Sequence, residues 1–348
     1  MLQLTHRAMA CDFVVMVPDE QSLVTAHDGR TRAVADAVLD SLETVDDVEA
    51  ALTIYRPTSE IARVNDQAGE RPVPVSNETF SLLQTSVRLC EATGGAFDIT
   101  AGPLVEAWGF TRREGRKPTE EEIQHALRCV GYQLMELDPD QRTVRFTRPA
   151  MRLNLGAIGK GEAIDRLATA LERAGVSDFL IHAGNSSVLA RGHQFPRHQT
   201  DELGTTDEEP RDTSVPAGWL VGIAHPTKPS RRLGGMWLHN AALATSGSGK
   251  QFFHHRGKRY GHVIDPRTGY PSGDLLALTV IAARAVDADA LATGLFVMGT
   301  TEAGELADRL GCPLLCVAPT ARQDSVAVHT RGRWDWAEPP KEISGDAV

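Results

Sequence analysis

Apolar residues recur at helical spacing over residues 32–51, where Val34, Val38, Leu42 and Val45 share one face and acidic residues take the other. A second helix is predicted over 78–92, with Ser76 placed to cap it and Gly94-Gly95 to stop it. Thr119, with Glu122 three residues on, has the spacing of a capping box and opens a short helix. Residues 160–174 read as a helix that follows a Gly-rich turn and ends at Gly175, and 288–297 as an apolar helix. Short apolar or alternating runs predict strands at 11–18, 143–146, 179–183, 187–190, 219–223 and 278–282, the third and fourth paired. Strands and helices do not alternate strictly, so the pattern favours α+β over a doubly wound parallel sheet.

Residues 193–217 break the pattern. They are polar, acidic at Asp207-Glu208-Glu209, and carry Pro196, Pro210 and Pro216, which predicts a mobile surface loop. Residues 336–348 give no structural signal and are expected to be a disordered tail, leaving one large domain over 1–335. The chain has 348 residues, 41% hydrophobic and 24% charged, enough to bury a substantial core. Its net charge of −10 argues against a nucleic-acid backbone binder, yet leaves nucleotide binding open, because a metal ion reverses the local field. Five cysteines without a CxxC pair read as reduced. The first residues lack the pattern of a secretory signal, and no run reaches the ~18 apolar residues that cross a bilayer. The expected location is the cytoplasm, with no membrane span.

Four segments carry residue choices that plain packing does not ask for. Gly94-Gly95-Ala96-Phe97-Asp98 through Leu104 lets backbone approach a ligand, but taken alone it reads better as a helix stop followed by a turn. Asn154-Leu155-Gly156-Ala157-Ile158-Gly159-Lys160-Gly161 opens a helix, where small residues expose amides and Lys160 adds a point charge for a phosphate. It matches neither Walker A nor GxGxxG, and a Gly-rich turn with a solvated lysine explains it as well. Thr245-Ser246-Gly247-Ser248-Gly249-Lys250 lacks the first Walker A glycine; His262 and Asp265 follow it at a strand end before a Pro/Gly turn, a place for an acid/base histidine or a structural one. Asp289 and Thr293, one helical turn apart, suit Mg²⁺, a hard cation content with few protein ligands. Alternatively Asp287 caps that helix and Thr293 bonds back to its own backbone.

Taken in order, these segments resemble the ApbE-type FAD:protein FMN transferases. The likeness runs from Met9 in RAMACDF and Tyr55 in TIYRPTSEIARVN, through GGAFDITAGPLVEAWGF, NLGAIGKGEAID, WLVGIAHP, ATSGSGKQFF and HVIDPRTGYP, to ADALATGLF. It implies an ApbE-like, T-fold-related domain of two interleaved α/β subdomains with FAD in the cleft between them. It implies Mg²⁺ on Asp289, Thr293 and the Gly159 carbonyl, and FAD held by Met9, Tyr55, Ala96, Phe97, Asp98, Gly156, Lys160 and Ile264. His262 would move the proton, with Asp265 the next candidate. The implied activity transfers FMN from FAD to a Thr or Ser hydroxyl of an acceptor flavoprotein and releases AMP. FAD hydrolysis to FMN and AMP, or FAD binding without catalysis, are the alternatives. The chain departs from the family at Met9-Ala10-Cys11, where Met-Gly-Thr is usual, and at Gly184-Asn185-Ser186, where Gly-Gly-Asp is usual. It departs again at Ser248-Gly249-Lys250, where an aromatic often follows Thr-Ser-Gly.

Overall fold

The computed structural model describes residues 1–19, 21–112, 114–195, 217–228, 230–247, 249, 251–321 and 325–341. At its centre eight strands form one sheet in the order Leu2–Ala8, Cys11–Val17, Phe179–Ala183, Ser187–Arg191, Ala242–Gly247, Ala277–Ala282, Leu314–Pro319 and Val326–Arg331. Every neighbouring pair is antiparallel. Alternate side chains feed two separate cores. Phe179, Ile181, Leu314 and Cys316 pack on the helical side, whereas Leu180, Leu315 and Val317 face the other way. Burial on both faces explains why these strands read as continuous apolar runs rather than as alternation.

Among the described residues the α-helices are α1 (Val34–Leu52), α2 (Glu60–Gln67), α3 (Asn77–Ala92), α4 (Gly102–Ala107), α5 (Glu120–Leu127), α6 (Gly159–Arg173) and α7 (Ala285–Leu310). α6 packs against both α1 and α7, and α6 and α7 lie on the central sheet. The segment between α1 and α6 supplies α2–α5 and a small sheet of Val73–Pro74, Met135–Asp138 and Thr143–Phe146. A second sheet of Trp219–Ala224, Arg232–Leu238 and Trp336–Glu338 covers the opposite face through Trp219, Val221 and Met236. The helix-side core takes residues from Ala8 to Cys316, which makes these layers one mixed α/β domain. Among the described residues no helix is long and apolar enough to cross a membrane.

The capping expectations hold. Ser76 Oγ accepts from Thr79 N at 3.2 Å, and the Thr119–Glu122 box makes both of its bonds, at 3.2 and 2.8 Å. Three boundaries need correction. The helix expected over 288–297 runs across Ala285–Leu310, kinked at Gly299, whose φ of 78° interrupts the apolar pattern. The expected disordered tail begins too early, since Trp336–Glu338 pairs with Arg232–Leu238. The expected loop over 193–217 is anchored at its edges, where Gln194 N donates to Gly218 O at 3.0 Å and Gly218 N to His193 Nδ1 at 3.2 Å. Residues 196–216 and 342–348, which hold the rest of both expectations, lie outside the described residues.

α6 crosses the start of α7 at Gly161. A Cβ there would stand 2.4 Å from Ala285 O and 2.6 Å from Val286 Cα, both backbone and unable to yield cheaply. Gly161→Ala should therefore lose about 1–3 kcal/mol of stability by urea unfolding, the usual cost of overpacking. Gly273, whose added Cβ meets nothing within 4 Å, is the control, and Gly273→Ala should leave the midpoint unchanged. Equal stability of Gly161→Ala and the parent would show that the helices do not cross this closely.

Candidate functional site

Three elements meet on the side chain of Asp289, which is 6% exposed in the second turn of α7. Lys160, at the start of α6, places Nζ 3.1 Å from both carboxylate oxygens. Ser187 Oγ, at the start of its strand, donates to Oδ1 at 3.0 Å, and Gly161 N donates to Oδ2 at 3.2 Å. A buried carboxylate is tolerable only when charge-paired and fully bonded, and here one ammonium and two neutral donors meet that need. Thr293 Oγ1 donates back to Asp289 O at 3.2 Å, which leaves its lone pairs as acceptors.

The start of α7 is fixed from outside. Asp165 on α6 accepts from Ala285 N at 2.8 Å and Val286 N at 3.1 Å, two of the amides a helix start leaves orphaned. Burial pushes the Asp165 carboxyl above its ordinary pKa, against the pull of those two amides. Asp287, the alternative cap, instead pairs with Arg88. Asp165 and Ser187 are the residues that sequence reasoning missed. The signal for Asp165 was an acid amid the otherwise buried face of α6; for Ser187 there was none.

Four amides of the Gly-rich turn are already bonded within the protein. Gly156 N donates to Asn154 Oδ1 at 2.9 Å, Ile158 N and Gly159 N to Leu155 O at 3.1 and 2.7 Å, and Gly161 N to Asp289. Its small residues serve close packing. A Cβ on Gly159 would lie 3.2 Å from Met9 Cε, which places Met9 against the start of α6. Met9 (φ 50°) and Ala10 (φ 60°) form the tight turn between the first two strands, and Met9 N is held by Glu49 Oε2 at 3.0 Å. Beside it, Gly184 (φ 58°) and Asn185 (φ 56°) turn the next hairpin, with Gly184 N on Asp12 O at 3.1 Å. Thr245 N reaches Ser186 O at 2.7 Å, so the Thr-Ser-Gly segment joins the same end of the sheet; Ser248 and Lys250 lie outside the described residues.

Ala96, Phe97 and Asp98 are buried beside α7, where Gly294 admits Phe97: an added Cβ would stand 3.0 Å from Phe97 Cβ. The Asp98 carboxylate faces inward and accepts from Thr100 N, Thr100 Oγ1 and Tyr132 N at 2.8, 2.6 and 2.9 Å. Its side chain is thus a loop staple, and this segment has only backbone to offer a ligand. Burial raises the Asp98 pKa, opposed by those three bonds. Tyr55 is 71% exposed, with its hydroxyl on Thr111 O at 3.2 Å. It adjoins a hollow of about 290 Å³ lined by Ile54, Asn65, Thr111, Arg152 and Asn154.

His262 is half-buried. Its backbone N and its Nδ1 both reach Gln251 O, at 3.1 and 3.2 Å. A carbonyl only accepts, so Nδ1 carries the proton and Nε2 keeps its lone pair. Burial, and then the nearby Lys160 charge, hold the imidazole below its ordinary pKa, so it is neutral at pH 7. Asp265 does not share that place. Both of its oxygens are taken by Arg267, Nε and Nη2 at 3.0 Å each, with Arg267 N on Oδ1 at 2.9 Å. It is a turn-stabilising ion pair, which corrects its standing as the second proton acceptor. Ile264 packs its side chain into a satellite core with Leu104, Trp108, Ile123 and Tyr260, so it too has only backbone to give a ligand.

The oxygens at Asp289 and Thr293 fit a hard divalent cation. A cation entering there would take the place of Lys160 on the carboxylate, and among the described residues no group of three or more His, Cys, Asp or Glu side chains is placed to hold a metal ion.

The ApbE family model matches residues 16–316. The FAD:protein FMN transferase of Haemophilus influenzae is 29% identical over 316 residues, 88% of this chain and 84% of that protein. The protein of the same name from Escherichia coli K12 is 32% identical over 268 residues, 75% of this chain and 70% of that one. The crystal structure of the ApbE protein of Thermotoga maritima superposes with a TM-score of 0.74 at 28% identity, over 91% of this chain and 94% of the other. A match over most of the length, in sequence and in fold, leaves one conclusion: this chain belongs to the ApbE family.

Proposed function

We propose that this chain transfers the FMN half of FAD to a hydroxyl of an acceptor protein and releases AMP. The observation that carries the reading is the buried Asp289, paired with Lys160 and placed so that the Lys160 charge also bears on His262. The names of the relatives support the same reaction. Asp289, Thr293 and the Gly159 carbonyl are the proposed Mg²⁺ ligands. Mg²⁺ there would neutralise charge on the pyrophosphate oxygens as the bond between the two phosphates breaks. Met9, Tyr55 and the backbone of Ala96–Asp98, Gly156 and Ile264 surround the flavin nucleotide, and Lys160 faces its phosphates.

The acceptor oxygen attacks the FMN phosphorus, an O–P bond forms, and the bond to the AMP phosphate breaks with its electron pair leaving on AMP. The acceptor proton passes to His262 Nε2, the nitrogen that the Gln251 carbonyl leaves unprotonated. The direct test incubates the chain with FAD, Mg²⁺ and a candidate acceptor carrying Thr or Ser among small residues. The acceptor should gain the mass of FMN as AMP appears. AMP without that mass gain would make the chain a hydrolase, and neither product would leave it a binding protein.

The metal and the base separate by substitution. Asp289→Asn should lose most Mg²⁺ affinity, with activity partly regained as Mg²⁺ is raised. His262→Ala should keep Mg²⁺ and FAD binding and lose roughly 10²–10⁴-fold in turnover at every Mg²⁺ concentration, the usual worth of a positioned base. AMP release followed against Mg²⁺ decides, and recovery of His262→Ala by metal would make His262 structural.

The pH dependence has a definite sign. Burial and the Lys160 charge both disfavour the imidazolium, so the competent neutral form persists below the ordinary imidazole pKa of ~6.5. The acid limb of kcat/KM should have its midpoint below that value. A midpoint above it would contradict the role given to His262.

A further inference from the structure

Residues 213–264 contain no Asp or Glu, in a chain with 46 of them and a net charge of −10. At the chain's average that stretch would hold about seven. It carries instead Lys228, Arg231, Arg232, Lys250, Arg256, Lys258 and Arg259. Three of these cations sit on a two-stranded hairpin, Phe252–His255 paired with Lys258–Gly261, or at its Arg256-Gly257 turn.

The hairpin has two unlike faces. Phe253 and Tyr260 stack at 5.4 Å and pack down onto Trp108, 6.2 and 5.4 Å away, which fixes the hairpin to the satellite core. Phe252, His254 and Arg259 share the outward face. There the Arg259 guanidinium lies 4.1 Å from the centroid of the Phe252 ring, and Phe252 remains 44% exposed. Arg256 is exposed at the turn beside them, whereas Lys258 is exposed on the other face, its Nζ 5.5 Å from the Tyr260 ring centroid. The loop that carries Lys228 and Arg231 comes close as well: a Cβ on Gly249 would lie 3.3 Å from Pro226 O. The result is a rigid positive surface with an aromatic floor on an otherwise acidic protein.

This surface is continuous with the proposed base. The strand Lys258–Gly261 runs straight into His262, and Gln251, at the other foot of the hairpin, supplies the carbonyl that orients the imidazole. A polypeptide whose hydroxyl reaches His262 must pass beside the hairpin.

We propose that the outward face of hairpin 252–261 docks the acceptor protein by gripping an acidic segment next to the hydroxyl that receives FMN. The inference rests on the transferase reading. Opposite charge raises the encounter rate and sets the register of the hydroxyl against His262. Arg259, stacked on Phe252, brings a fixed positive charge to that face.

Two labelled peptides test the surface. Both have a central threonine among small residues, flanked in one by Glu and Asp and in the other by Lys. Fluorescence anisotropy measures binding to the FAD-loaded chain, the charge-reversed variant Arg256→Asp/Arg259→Glu, and the milder Arg256→Asn/Arg259→Gln. Neither position touches the proposed site, and Asp and Asn tolerate the φ of 49° at Arg256. The parent should bind the acidic peptide in preference to the basic one and lose it at high salt. Charge reversal should weaken binding tenfold or more, the neutral pair less, with FAD affinity and melting temperature unchanged in both. Equal binding of the acidic peptide by parent and charge-reversed variant overturns the proposal. So does binding of neither peptide, or preference for the basic one. Capture of phosphatidylserine vesicles with neither peptide bound would assign the surface to a membrane and overturn it too. FMN transfer is read separately. Acidic-peptide binding that the hairpin variants abolish, without FMN transfer by the parent, leaves the docking surface standing and removes the transferase reading.

Discussion

One buried negative charge organises this end of the molecule. Asp289 cannot be solvated where it lies, so the chain must bring donors to it, and the donors come from two places, each at least 102 residues away in sequence. Lys160 and Gly161 draw the first turn of α6 against α7, and Ser187 ties both helices to the central sheet. Gly161 must be glycine for the helices to come that close, and Asp165 must cap α7 for Asp289 to point at Lys160. The same ammonium that balances Asp289 helps to keep His262 neutral. Charge balance, helix crossing and proton affinity are therefore one constraint met by few residues.

Much of this was legible in the sequence because it is local. The Thr119–Glu122 capping box, the Ser76 cap and the α6 helix each depend on residues within one turn of each other, and each appears where the pattern puts it. The choice of α+β over a parallel sheet holds for a related reason: the strand runs do not alternate with helices, and the sheet is wholly antiparallel. What the sequence hid is non-local. Ser187 lies 102 residues from Asp289 and Asp165 lies 120 from Ala285, and no spacing rule reaches that far. The Gly-rich turn shows a packing role that its sequence left open. Glycine permits both ligand approach and close packing, and at Gly159 and Gly161 the neighbours are Met9 and the start of α7. Asp98 and Asp265 likewise looked like free carboxylates, yet backbone amides hold one and Arg267 the other.

The departures from the family pattern take on physical meaning in the two turns. Ala10 occupies a φ of 60°, where a glycine rests without strain and a Cβ costs about 1–2 kcal/mol. The hairpin registers on either side hold it there, as strain at functional sites generally persists only when its surroundings over-determine it. Asn185 at φ 56° tolerates the same region better, because its short polar side chain bonds locally. Next to these turns Met9 lies against Gly159 and Ser187 bonds Asp289.

The central claim is that Asp289 and Thr293 hold the ion that makes the pyrophosphate bond breakable. Manganese, a hard cation that takes the same oxygen ligands, makes this visible in crystals of the chain soaked with Mn²⁺ and FAD. The account predicts one strong anomalous peak within coordination distance of the Asp289 carboxylate and the Thr293 hydroxyl. A peak elsewhere, or an undisturbed Lys160–Asp289 pair with no ion beside it, would contradict it.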